Sequence, residues 1–191
     1  MTVVAVALSY VLGSIPTGLW LGLRLKRVDI RERGSKNIGA TNTLRVLGKG
    51  LGMAALVGDM AKGAAGVLLV SRLSEWEYAQ LACGLAAIAG HNWSLFLKFK
   101  GGKGVATSAG VFGSLAPMPM LVAFAVFVGI FALTRMVSAG SIMAAIALTV
   151  GVLILPNDTA LRAVTVFVAA AVIVKHRSNI RRILAGTENR F

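Results

Sequence analysis

Long apolar stretches alternate with short polar ones along the whole chain. Seven apolar runs stand out, at residues 2–23, 50–73, 76–97, 105–116, 117–133, 138–155 and 160–174. A helix needs about 20 apolar residues to cross the hydrocarbon of a bilayer, and most runs approach that length. The pattern predicts an all-α, polytopic integral membrane protein with seven transmembrane helices in one domain, residues 1–191. The fourth run is short and rich in Gly, Ser and Ala, so it is expected to borrow residues from its flanks, to be broken, or to line a cavity. The first run has no basic segment before it and basic residues after it. It therefore reads as a retained span rather than a cleaved signal peptide.

Charge adds a direction to this pattern. Only 14% of residues are charged, yet the net charge is +13. A soluble nucleic-acid binder with that excess would carry charge throughout; here it falls in clusters between the apolar runs. Residues 24–49 hold eight Lys or Arg. Lys98, Lys100 and Lys103 follow the third run, Arg135 the fifth, and Lys175, Arg177, Arg181, Arg182 and Arg190 the seventh. The opposite connections hold Arg72 and Arg162 beside Glu75, Glu77 and Asp158. By the positive-inside rule this alternation predicts an external N-terminus and a cytoplasmic C-terminus. The single cysteine, Cys83, lies in an apolar run and excludes an intramolecular disulfide.

Four polar constellations interrupt the apolar pattern. The first, residues 34–50, is GSKNIGATNTLRVLGKG. Glycines let backbone N–H groups turn toward an anion, and Ser35, Lys36, Thr41, Asn42 and Arg45 add side-chain donors. Composition alone leaves a solvated basic loop near lipid head groups about as acceptable; the density of small polar residues favours a phosphate or carboxylate site. The second, residues 90–108, centres on Lys100-Gly101-Gly102-Lys103-Gly104 with a helix expected after it, a combination that suits phosphate and is favoured over a flexible interhelical turn with basic interface anchors. It is not a Walker A loop, since Leu97 stands where the first glycine would be and Gly104 follows Lys103. His91, earlier in this segment, reads as a packed helix histidine. The third is Thr134 to Ser138 with Ser141, by itself a basic turn with a serine cap. The fourth, residues 175–191, places His176 and Asn179 on one helical face, where they could hydrogen-bond a substrate hydroxyl or carbonyl; alone it reads better as a basic amphipathic tail on the membrane surface.

Asp59 and Lys62 lie three apart inside the second run. Ionisable groups there are expensive and usually paired or functional, so a mutual ion pair and contact with a polar substrate are the two readings. No HExxH, CxxC or carboxylate cluster suggests a metal. Phe96 and Arg181, five residues after the two histidines, rule out an HxxxxD motif.

Five blocks, GSIPTG, GSKNIGATNTLR, GDMAKG, GHNWSLFLKFKGGKGVATS and KHRSNIRRILAGTENRF, run nearly end to end in order and spacing that resemble the bacterial acyl-phosphate:glycerol-3-phosphate acyltransferase (PlsY) family. The resemblance implies acyl transfer from acyl-phosphate to the 1-hydroxyl of glycerol 3-phosphate. The products would be 1-acylglycerol 3-phosphate (lysophosphatidic acid) and phosphate, formed in phospholipid synthesis at the cytoplasmic face of the cell (inner) membrane. It implies Ser35 and Arg45 in catalysis, with Lys36, Thr41 and Asn42 contacting phosphate. Gly101, Gly102, Lys103 and Gly104 would cradle the glycerol-3-phosphate phosphate. His176 and Asn179 would orient the reacting hydroxyl or carbonyl, with Ser141 assisting. The base would be His176 or a substrate phosphate oxygen. No cofactor, metal or nucleic acid is implied, and the expected state is a monomer in the bilayer. Two other classes are weighed against this: an organophosphate transporter, which the donor-poor outer loops disfavour, and a non-catalytic lipid-binding protein, which does not need such clustering of glycine, serine and cation.

Overall fold

A computed structural model describes residues 1–191. The regular structure is helical, with no strand. The helices gather into two compact units, Met1–Leu115 and Ala116–Phe191.

In the first unit, α1 (Thr2–Ser14) ends at Ile15 because Pro16 follows. Proline lacks an N–H and disfavours helical geometry in the residue before it, and Ile15 duly leaves the helical region at φ −59°, ψ 114°. The chain resumes as α2 (Thr17–Leu21), which runs into a π turn, Gly22–Lys26, and is bent 46° from α1. Then come α3 (Ala40–Leu47), α4 (Lys49–Leu68) with a 3-10 extension to Leu73, α5 (Ala79–Asn92) and α6 (Val105–Leu115). α1 packs on α5, and α4 packs on α3, α5 and α6.

These pairs touch backbone to backbone. A Cβ on Gly13 or Gly90 would run into the Ala87 or Tyr10 carbonyl oxygen, and one on Gly110 into that of Met60. Small residues at such crossings are the usual device for close helix packing in a bilayer. Gly90→Ala is therefore expected to destabilise the protein by about 1–3 kcal/mol, the range for overpacking a tight interior. Gly129→Ala, whose Cβ would meet nothing within 4 Å, should be neutral or stabilising. Thermal unfolding in detergent compares the two; equal melting temperatures would contradict the close-contact account.

In the second unit, α7 (Pro117–Thr134) and α8 (Val137–Ile154) form a hairpin about Arg135, which takes a left-handed conformation at φ 60°. α9 (Thr159–Lys175) packs on α8 and begins where the Asp158 carboxylate caps the Ala160 N–H at 2.5 Å. α10 (Arg177–Leu184) is bent 57° from α9 at His176. The residues after α10 return to the α7–α8 turn. There the Phe191 N–H donates to the Arg135 carbonyl, and Arg135 Nε donates to the Phe191 carbonyl, each at 3.0 Å.

The burial pattern is that of a membrane protein. Val3, Val4, Leu8 and Val11 on α1, Met53, Val57 and Met60 on α4, and Leu121, Val122, Phe124 and Val128 on α7 are exposed, whereas Ser9, Ser14, Asp59, Lys62 and His91 are buried. All seven apolar runs become helical, but helix length gives fewer crossings than seven. The stretches Lys49–Leu73, Pro117–Thr134 and Val137–Ile154 are long and apolar enough. The total is five if each bent pair, Thr2–Ser14 with Thr17–Lys26 and Thr159–Lys175 with Arg177–Leu184, is one span. At 1.5 Å per residue, α5 with 14 residues and α6 with 11 fall short of the hydrocarbon thickness, because residues 93–104 between them form a folded loop instead of continuing either helix.

Candidate active site

The first constellation begins in a loop, residues 28–39, and continues through α3 into the first residues of α4. Asn42 organises it from within. The Asn42 side chain is buried, and its Nδ2 is shared among the carbonyls of Ile30 (2.8 Å), Asn37 (2.9 Å) and Arg33 (3.2 Å), while its Oδ1 accepts the Ser35 N–H at 2.8 Å. Gly34 and Lys36, on either side of Ser35, both take positive φ near 60°. A Cβ on Gly34 would collide with Asn42 Oδ1, so this turn needs a glycine. The Asn42 amide thus holds the loop, and its place is behind Ser35 and Lys36, whose side chains are exposed. Thr41 and Arg45 lie one turn apart on α3, both half-buried.

The second constellation is anchored to the end of α1. Tyr10 donates its hydroxyl to the Trp93 carbonyl (2.6 Å), Ser94 donates to the Ser14 carbonyl (2.5 Å), and the Leu95 N–H donates to Ser14 Oγ (3.2 Å). After a 3-10 turn, Leu95–Leu97, the chain passes through two consecutive left-handed residues, Lys98 (φ 51°) and Phe99 (φ 60°). The glycines then fold back over the end of α5. The Gly102 N–H donates to the His91 carbonyl at 3.0 Å, and Cβ atoms on Gly101, Gly102 and Gly104 would strike the His91 carbonyl, His91 Nε2 and Asn92 Oδ1 respectively. Gly104, at φ 78°, leads directly into α6 at Val105. Lys103 therefore sits one residue before the last loop glycine, at the positive end of a helix.

Beneath this loop, Asp59 and Lys62 form the mutual ion pair, at 2.8 Å and almost wholly buried. Asp59 Oδ1 also accepts from Thr17 Oγ1 (3.0 Å), and Lys62 Nζ donates to the Ile15 carbonyl at the α1–α2 break (2.6 Å). His91 is packed as expected, but its buried Nδ1 makes no hydrogen bond; Asp59 Oδ1 stands 3.7 Å away.

The second unit holds the remaining residues. Ser141 is buried and donates to the Val137 carbonyl one turn back on α8 (2.8 Å). His176 is buried at the α9–α10 bend with Nδ1 2.8 Å from the Val172 carbonyl. Asn179 Nδ2 donates to Glu188 Oε1 (2.6 Å). Glu188 stands in the last of the five sequence blocks with no role read for it there, yet it is the hub of this unit: it also accepts from Ser138 Oγ (2.8 Å) and Arg182 Nε (2.7 Å).

Burial pushes the Glu188 carboxyl upward, but the hydrogen bonds from Asn179, Ser138 and Arg182, with the charge of Arg182, outweigh it and hold the group below the ordinary glutamate range. A depressed folded value means that the stabilisation is fully present above the unfolded value and is lost as pH falls through the folded one. Docking of residues 185–191 should thus be pH-independent near neutrality and loosen below about pH 4.5, the ordinary glutamate value. Hydrogen exchange of that segment, followed by mass spectrometry and corrected for intrinsic rates, measures this. Glu188→Gln should remove the dependence, and an unchanged pH profile in that variant would exclude Glu188 as its source.

Comparisons with known proteins bear on what these two groups of residues serve. The family model described as "Glycerol-3-phosphate acyltransferase" matches residues 3–186. The glycerol-3-phosphate acyltransferases of Geobacter sulfurreducens and Trichlorobacter lovleyi are 51% and 50% identical over 97% of this chain and 95% of their own. Two crystal structures of PlsY (YgiH), described as an integral membrane glycerol 3-phosphate acyltransferase, superpose over the whole chain at 37% identity. The glycerol 3-phosphate form gives a TM-score of 0.94, the lysophosphatidic acid form 0.91, and each is covered over 95% of its length. Identity on this scale over nearly the full length, carried on the same helical fold, leaves one assignment: the chain belongs to the glycerol-3-phosphate acyltransferase family of integral membrane proteins typified by PlsY.

Proposed function

We propose that this protein transfers an acyl group from acyl-phosphate to the 1-hydroxyl of sn-glycerol 3-phosphate at the cytoplasmic face of the cell membrane. The products are 1-acylglycerol 3-phosphate and inorganic phosphate. The observation that carries the reading is the Gly101–Gly104 loop. Its glycines are required by close contact with His91 and Asn92, and it delivers Lys103 and the start of α6 to one place, a combination suited to a phosphate dianion.

The hydroxyl oxygen attacks the acyl carbon, a new ester C–O bond forms, the bond from acyl carbon to phosphate oxygen breaks, and phosphate leaves. An acyl-phosphate is a mixed anhydride with a good leaving group, so positioning and charge stabilisation supply much of the rate; with no strong enzyme nucleophile in evidence, the reading is direct transfer without an acyl-enzyme. The base is His176 or a substrate phosphate oxygen. The Val172 carbonyl can only accept, so Nδ1 of His176 carries a hydrogen, and a base role for this residue falls to Nε2. Ser35 and Arg45 act on the reacting groups, with Lys36 and Thr41 on phosphate. Asn42 acts by shaping the Ser35 turn. Asn179, held by Glu188, orients the hydroxyl or carbonyl, and Ser141 assists. The charge alternation supports an external N-terminus, a cytoplasmic C-terminus and seven passages counting short or broken helices. The working unit is a monomer in the bilayer.

The test is phosphate release from acyl-phosphate by the purified protein with glycerol 3-phosphate. Lys103→Ala should lower kcat/KM for glycerol 3-phosphate by about 10- to 100-fold, as expected for one charge-assisted contact. Acylation from acyl-CoA or acyl carrier protein but not from acyl-phosphate would overturn the donor. A trapped acyl-enzyme would overturn direct transfer.

A further inference from the structure

Three ionisable side chains, Asp59, Lys62 and His91, are buried in the first unit and have no role in the chemistry above. Their connections run in one direction. Lys62 Nζ holds the Ile15 carbonyl and Asp59 holds Thr17, so the pair clasps both sides of the Pro16 break. On its other side, Asp59 Oδ1 faces Nδ1 of His91 at 3.7 Å. That is too long for a hydrogen bond but close enough for a buried carboxylate to align the ring. The opposite edge of the same ring, Nε2, is what a Cβ on Gly102 would strike, and the His91 carbonyl binds the Gly102 N–H. The imidazole is therefore wedged between a buried carboxylate and the glycine that precedes Lys103.

From this we infer that Asp59, Lys62 and Thr17 are positioning residues for glycerol 3-phosphate: acting through the His91 ring, they set where Gly102 and Lys103 lie without touching the substrate. The inference rests on the reading of the Gly101–Gly104 loop as the cradle of the glycerol-3-phosphate phosphate. A buried ion pair adds little net stability relative to well-packed neutral groups. Stability alone therefore does not account for a pair whose third neighbour abuts a phosphate loop. If the ring turns, the glycine it abuts is released, and the phosphate site loosens while the rest of the protein stays folded.

The test uses the full-length protein in detergent and four variants: the charge-free double variant Asp59→Asn/Lys62→Met, Thr17→Val, His91→Gln and Lys103→Ala. Melting temperature, kcat, and KM for each substrate are measured for all. The double variant and Thr17→Val should melt close to the wild type, raise KM for glycerol 3-phosphate about fivefold or more, as loss of one ordered contact does, and leave kcat and the donor KM within about twofold. His91→Gln should raise the same KM, and adding it to the double variant should produce no further multiplicative rise, because residues in one chain of contacts are not additive. If KM returns to the wild-type value whenever melting does, or if the effects multiply, the inference is overturned and the pair only stabilises. Should the double variant melt early, Thr17→Val alone decides by the same criterion. Lys103→Ala separates the two levels: an unchanged KM there overturns the cradle itself, whereas a raised KM there with wild-type values in the other variants overturns only the positioning role.

Discussion

Lys62→Ala is expected to destabilise the protein by about 3–5 kcal/mol, the range for removing one partner of a buried ion pair. The carboxylate of Asp59 is almost fully buried and accepts only from Lys62 and Thr17 among its hydrogen bonds. Without the ammonium it keeps one hydroxyl donor, and a buried carboxylate cannot recover its lost hydration. The Ile15 carbonyl also loses the donor that satisfies it at the helix break, and such groups are costly in a bilayer where water does not reach. Asp59→Asn combined with Lys62→Met removes the charge as well as the pair and should recover most of the loss. Thermal or denaturant unfolding in one detergent, with expression level as a second readout, makes the comparison. A Lys62→Ala protein within about 1 kcal/mol of the wild type would show that water or lipid head groups solvate Asp59, and the site would not be the dry one described.

How far the sequence reveals this structure depends on the length scale of each feature. Apolar runs are local, and they locate every long helix; the five sequence blocks that carry the family resemblance are local as well. The Asp59–Lys62 pair was visible because a helix puts residues three apart on one face. Asn42 was visible as a polar residue but not as a structural one: its amide bonds to Ile30, Arg33 and Asn37, and nothing in a loop's composition says which of its polar residues turns inward. Glu188 was missed because its partners, Ser138 and Asn179, are 50 and 9 residues away, brought together by the α9–α10 bend. Run lengths also overstated the helices. The run at 76–97 is apolar enough to suggest a span, but its helix stops at Asn92, after which the Trp93 carbonyl bonds to Tyr10 and the Ser94 hydroxyl and Leu95 N–H bond to Ser14. Tertiary hydrogen bonds decide that boundary, and periodicity does not record them.

Gly102→Ala is expected to lower kcat/KM for glycerol 3-phosphate by about 100-fold, mostly through KM. An added Cβ would strike the His91 ring, which is itself buried and backed by Asp59. The loop, which is not part of a helix, is the element that yields. A shift of about an ångström breaks the Gly102 N–H bond to the His91 carbonyl and carries Lys103 with it. Charge-assisted contacts to phosphate are worth about 1.5–3 kcal/mol each, and misplacement on that scale is known to cost about 100-fold in rate. Gly113→Ala is the matched control, since it lies on α6 a few turns from the same loop and its Cβ would meet nothing within 4 Å. It should leave both kinetic constants near the wild type. The donor KM separates a local from a general effect: a shifted phosphate cradle leaves it unchanged, while a disturbed helix bundle raises both. If Gly102→Ala folds and keeps a wild-type KM for glycerol 3-phosphate, the glycines serve only the fit against α5 and the phosphate lies elsewhere.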